Sequence, residues 1–81
     1  MTVNYNLSKI IYFHRKKAGL SRIDLAQLAG VGKTVIYDIE KGKQSVRWDT
    51  IQSILRALNI TIDFQSPLMK LYEESKDTDT Q

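Results

Sequence analysis

The residues best suited to chemistry lie between Arg22 and Lys41, in the run RIDLAQLAGVGKTVIYDIEK. Lys33, Thr34 and Tyr37 fall on one face if this stretch is helical. Their groups match what nucleic-acid base edges offer. A lysine ammonium donates to guanine O6 and N7, and a threonine hydrogen-bonds a base edge or packs its methyl against that of thymine. The Tyr37 hydroxyl either reaches a base or phosphate, or its ring merely covers the helix surface. Arg22, Lys41 and Lys43 flank the same region and are candidates for phosphate contacts, with solvated surface charge as the alternative for each. Gly32 has no side chain, which lets backbone approach a phosphate closely. Covalent or acid–base catalysis fits poorly. There is no cysteine and only one histidine, His14, so a nucleophile–base pair would have to recruit it from inside a helical pattern. Gly30-Val31-Gly32-Lys33-Thr34 ends in Gly-Lys-Thr, but it lacks the upstream glycine of a phosphate loop and follows a helix rather than a strand. No metal site and no cofactor are expected.

These side chains need rigid elements behind them. Leu7, Ile10, Ile11, His14 and Ala18 recur at helical spacing, with Asn4, Asn6 or Ser8 as cap and Gly19 as stop, which predicts a first helix over 7–18. Ser21 and Asp24 form a capping-box pattern ahead of a second helix over 22–29 that stops at Gly30. A third fits 32–41 and ends at Gly42. Leu25, Val31, Ile36 and Ile39 point inward, Ala26 is small where the second helix meets its neighbour, and Gly30 supplies a left-handed turn. Gly32, Lys33, Thr34, Tyr37 and Asp38 then face out. This is the arrangement that offers the start of a second helix to a major groove; an ordinary helical hairpin is the plainer alternative. A fourth helix carries the stripe Trp48, Ile51, Ile54, Leu55 and Leu58, with Ser45 as a cap and Asn59 as stop. Trp48 is expected in the core, and His14 at its edge.

Beyond Asn59 the period changes. Ile60, Ile62 and Phe64 alternate with Thr61, Asp63 and Gln65, a strand pattern. One strand alone is not stable in water. It must pair with residues 2–6 or with its own copy in a second subunit, and the second solution gives a two-fold homodimer. An irregular apolar segment is the alternative. Ser66-Pro67 starts a short helix with Leu68, Leu71 and Tyr72 on one side. The polar composition after Ser75 predicts disorder. The chain thus divides into a domain over 1–66 and a short acidic, flexible tail over 67–81.

Charge divides the same way. The 81 residues carry a net +3, but residues 1–66 hold ten basic against five acidic side chains, while the tail holds two lysines against Glu73, Glu74, Asp77 and Asp79. A basic body suits a polyanion, and the acidic tail suits a protein surface better than DNA. No segment approaches the roughly 20 apolar residues of a membrane span, and no apolar signal region opens the chain, so a cytoplasmic location is expected.

The segment RKKAGLSRIDLAQLAGVGKTVIYDIEKGK resembles the phage-repressor/Cro-type (XRE) helix-turn-helix family, and the resemblance runs over about residues 7–60. The order of helices followed by LNITIDF is similar to HipB-type antitoxins. The implied fold is all-α: a four- to five-helix repressor-like domain, with one C-terminal strand (Ile60, Ile62, Phe64) pairing across a dimer. The implied function is a bacterial, nucleoid-associated, sequence-specific repressor that is also the antitoxin of a HipA-like serine/threonine kinase toxin. It would bind double-stranded operator DNA with two-fold related half-sites. A stand-alone phage-like or restriction-control regulator is the alternative, and a pure protein-interaction module a more distant one. The resemblance also implies a structural ion pair between Arg15 and Glu40. Surfaces open to a kinase are Gln52 and Arg56 on the fourth helix, the region of Tyr5, and residues 68–72. Arg22 stands where the family usually has Gln, and suits a phosphate better than a directed amide contact.

Overall fold

The computed structural model describes residues 6–78 and contains five helices: α1 (Leu7–Lys17), α2 (Arg22–Ala29), α3 (Lys33–Glu40), α4 (Trp48–Ala57) and α5 (Met69–Thr78). The starts of α1 and α2 have a local cause. Asn6 caps α1, its side chain accepting from the Ser8 N–H at 3.1 Å. Ser21 and Asp24 close a reciprocal capping box on α2: the Asp24 N–H donates to Ser21 Oγ at 2.9 Å, and the Ser21 N–H to Asp24 Oδ2 at 3.0 Å. The third and fourth helices start without a side-chain cap. Gly32 precedes α3, and the expected Ser45 cap of α4 is replaced by Arg47, which makes no capping bond.

The first four helices stop alike. The N–H groups of Leu20, Val31, Lys43 and Ile60 reach back to the carbonyls of Arg15, Ala26, Asp38 and Leu55, at 2.9–3.1 Å. That closure places the preceding residue in the left-handed region, where Gly30 sits at φ +72° and Asn59 at φ +60°. At Gly30 the turn lets α3 leave α2 at once and fold back against it.

The core is Ile11, Leu25, Ala26, Ile36, Ile39, Ile54 and Leu55, with Leu7, Leu20, Val31, Val35, Val46, Ile51 and Leu58 packed around it. Helix α2 lies at the centre, against α3 and α4, and α1 packs on α3. His14 sits half-buried at the rim, its Nδ1 donating to the Ile10 carbonyl at 2.7 Å.

Three further expectations about the helices need correction. Trp48 is not a core residue; it is 53% exposed. A helical side chain covers the turn before its own Cα, and Trp48 is the first residue of α4, so no preceding turn lies beneath it. Val46, partly buried just ahead of α4, packs against the core there. Second, the polar stretch after Ser75 is helical, since α5 runs to Thr78. Its start is set by Ser66, whose Oγ accepts from the Leu68 N–H at 3.2 Å and whose carbonyl accepts from the Met69 N–H at 3.2 Å. Third, α1 and α3 end sooner than periodicity predicts, because Ala18 and Lys41 are already cap residues.

Residues 60–66 run without helix or strand between α4 and α5, and no strand occurs among the described residues. The expected alternative partner, residues 2–6, lies outside the described residues except for Asn6, as does Tyr5. Ile60 packs on the core, but Phe64 is 69% exposed. Leu68, Leu71 and Tyr72 are exposed as well, and the main helix–helix packing is among α1–α4. The radius of gyration is 15.6 Å, against about 12 Å for a compact chain of this length. Residues 61–76 therefore form an arm beyond a four-helix body.

Candidate nucleic-acid interface

Helix α3 presents two unlike faces because its sequence alternates at helical spacing. Ile36 and Ile39 are buried, and Glu40 ends the helix beside them with its side chain only 3% exposed. Lys33, Thr34 and Tyr37 lie on the outer side, all exposed, with Tyr37 at 44%. The structure thus brings the three candidate base-reading residues onto one continuous strip. Gly32, at the head of this strip, is exposed and offers no side-chain cap. The first N–H groups of α3 therefore point out of the body without a side-chain acceptor, and an external oxygen can use them.

What fixes α3 in place is a cluster around Glu40. Arg15 on α1 donates to it twice, Nε to Oε2 at 2.6 Å and Nη2 to Oε1 at 3.1 Å. The remaining Nη1 of Arg15 donates to the Leu20 carbonyl at 2.9 Å. Arg15 is itself buried, so one carboxylate ties α1, the α1–α2 turn and α3 together. Arg22 at the head of α2 adds a third bond, Nε to Glu40 Oε1 at 2.9 Å. Two arginines on one carboxylate leave a net positive charge at the surface, carried by the half-exposed guanidinium of Arg22.

The other basic candidates are distributed around this centre. Lys41 places Nζ 4.5 Å from the centroid of the Tyr37 ring, and the Arg22 guanidinium carbon lies 5.1 Å from the same centroid. Lys43 lies 3.5 Å from Asp38. The closure at the end of α3 explains that pair, since the Lys43 N–H returns to the Asp38 carbonyl and folds Lys43 back over the last turn. Arg22, Lys41 and Lys43 all lie at the margins of the α3 strip. The Arg15–Glu40 pair follows the family resemblance, but the bond from Arg22 to the same carboxylate was not legible in the sequence. Nothing in the local pattern marks Glu40 as shared by two arginines, because Arg15, Arg22 and Glu40 are far apart in the chain. The Asp38–Lys43 pair did leave a signal: Gly42, which stops the helix.

The capping box also acts on the acidity of Asp24. Its carboxyl is held below the ordinary 3.8, mainly by the Ser21 backbone N–H and then by the Ser21 hydroxyl. Asp24 remains ionised at the start of α2, where a negative charge also suits the helix dipole.

A family model described as helix-turn-helix matches residues 11–65, from the middle of α1 through the extended segment after α4. The chain belongs to the helix-turn-helix family. Its helix-turn-helix is α2, the Gly30 turn and α3. Among curated proteins the chain is similar to an uncharacterized HTH-type transcriptional regulator, y4mF, of Sinorhizobium fredii (strain NBRC 101917 / NGR234). The identity is 31% over 62 residues, covering 76% of this chain and 82% of that protein.

Proposed function

We propose that this chain is a sequence-specific DNA-binding transcriptional repressor that acts as a two-fold dimer. The observation that carries the reading is α3 itself: Gly32, Lys33, Thr34 and Tyr37 form an exposed strip on a helix whose other face is fixed by Ile36, Ile39 and the Glu40 cluster. Membership of the helix-turn-helix family and the regulator name of the Sinorhizobium relative support it. Lys33, Thr34 and Tyr37 read base edges, while Arg22 through its Nη atoms, the Gly32 end of α3, Lys41 and Lys43 hold phosphates. The dimer forms through residues 60–64 paired antiparallel with their copy, which buries Ile62 and Phe64 and satisfies a backbone that has no ladder in one chain. Mobility shift of its own promoter DNA, compared with random DNA of equal length over a salt series, tests this reading. Preference for the promoter that persists as salt rises supports it. Equal affinity for both sequences at every salt concentration contradicts it.

The finer reading is that the repressor is the antitoxin of a HipA-like serine/threonine kinase. Its support is the resemblance of the helix order and LNITIDF segment to HipB-type antitoxins, together with an arm that leaves Leu68, Leu71 and Tyr72 open to another protein. Gln52 and Arg56 on α4 are the second surface for that contact. Co-expression with the neighbouring reading frame tests it. A kinase that co-purifies with the DNA-bound dimer supports the antitoxin reading; if none does, the chain is a stand-alone regulator.

A further inference from the structure

We propose that Arg22 is a positioning residue that orients Tyr37 on the reading strip before DNA arrives. The inference rests on the reading of Tyr37 as a base contact, and adds a residue that determines how that contact is made. Tyr37 is exposed, so packing alone does not select its rotamer. Two cations lie against its ring, and they are not equivalent. Lys41 reaches the ring from the end of the same helix, on a flexible stem. Arg22 comes from the preceding helix, and its Nε is bonded to a carboxylate that is almost fully enclosed and held from behind by Arg15.

The chain of contacts therefore runs outward from the core: Arg15 fixes Glu40, Glu40 fixes Arg22, and the face of the Arg22 guanidinium fixes the ring. Only arginine can do this, because its edge donates to the carboxylate while its flat face covers the ring. A lysine offers one point charge and must choose between the two. Neither Nη atom of Arg22 is used in these contacts, so a phosphate can be held without releasing the ring.

The test has two arms on the full-length chain. The first needs no DNA: the χ1 rotamer of Tyr37 is read from NMR side-chain couplings. Wild type is expected to hold one rotamer. Arg22→Ala is expected to average it, and Lys41→Ala to leave it single. Arg22→Gln, which keeps a donor for Glu40 and loses the cation, is the second variant if Arg22→Ala fails to fold. One unchanged rotamer in the Arg22 variants overturns the proposal. The second arm selects operator variants with Arg22→Ala, Tyr37→Ala and the double change. Arg22→Ala should lower discrimination at the same base position as Tyr37→Ala, by about fivefold or more, and the double change should lose no more than Tyr37→Ala alone. Equal losses on all sequences, additive with Tyr37→Ala, would make Arg22 a phosphate contact only and overturn the proposal. If Tyr37→Ala changes no base preference while Arg22→Ala still averages the ring, the positioning stands and the base-reading role of Tyr37 falls.

Discussion

Glu40 accepts three hydrogen bonds from two arginines in a site that excludes water. Removing it leaves Arg15 buried with a charge that no carboxylate balances. Glu40→Ala is therefore expected to cost about 3 kcal/mol or more, a large part of what a domain this small has, and thermal unfolding should show a fall well beyond 10 °C, on the order of 4–8 °C for each kcal/mol. A loss under about 1 kcal/mol would mean the cluster is solvated in solution. Lys33 and Thr34, on the proposed reading strip, behave differently, since both are exposed on the outer side of α3. Lys33→Ala and Thr34→Ala should leave the melting temperature nearly unchanged and relax preference at one base position by about 1–3 kcal/mol each. Lys43→Ala should weaken all sequences alike and flatten the dependence of affinity on salt. Its contact with Asp38 makes that effect modest, because the phosphate must compete with a carboxylate already at 3.5 Å. Asp24 gives a pH signature. Its pKa lies below 3.8 in the folded chain, so the capping box is intact above the ordinary carboxylate value and opens as pH falls through the lower folded one. An NMR titration should find the Asp24 carboxyl below 3.8, and Ser21→Ala, which removes the hydroxyl but keeps the backbone N–H, should move it only part of the way back up.

Helices in this chain are set more by their ends than by their interiors. The turn at Gly30 shows the cost most cleanly. A Cβ there meets nothing within 4 Å, so Gly30→Ala introduces backbone strain at φ +72° and no clash. The expected loss is about 1–2 kcal/mol, measurable by urea unfolding with an unchanged slope. A much larger loss would point to a contact at this turn beyond the strain. Such ends were easy to read in the sequence. Ser21 with Asp24 and Gly30 bound α2 at both sides, and the stripe of Ile51, Ile54, Leu55 and Leu58 placed α4 correctly. The failures came where an element has no neighbour. Trp48 obeys the stripe of α4, yet hangs past the end of the layer it should cover. Helix α5 carries too little apolar surface to be recognised through Thr78, because isolated helices of this length gain little from propensity alone. Contacts between distant residues were the other blind spot. The resemblance supplied Arg15 with Glu40, but the third bond from Arg22 depends on the close approach of α2 to α3, which no local pattern encodes.

The whole molecule is a basic four-helix body with an apolar arm that the described residues leave uncovered. Phe64, Leu68, Leu71 and Tyr72 all stand exposed along it. Such a strip favours a second copy over solvent, and strand pairing across a two-fold axis is the proposed solution for residues 60–64. Ile62→Asp should then place a charge in that interface, and sedimentation at micromolar concentration should move from dimer to monomer. A native chain that sediments only as monomer would remove the dimer. In the proposed dimer the two α3 helices must also match the repeat of the duplex, with half-sites about 34–36 Å apart. Hydroxyl-radical footprinting on the chain's own promoter measures this in one step. Two protected half-sites at that spacing, both lost in Lys33→Ala combined with Thr34→Ala while dimerisation is retained, are the expected result. Uniform protection along the fragment, unaltered by those substitutions, would show that α3 does not read DNA.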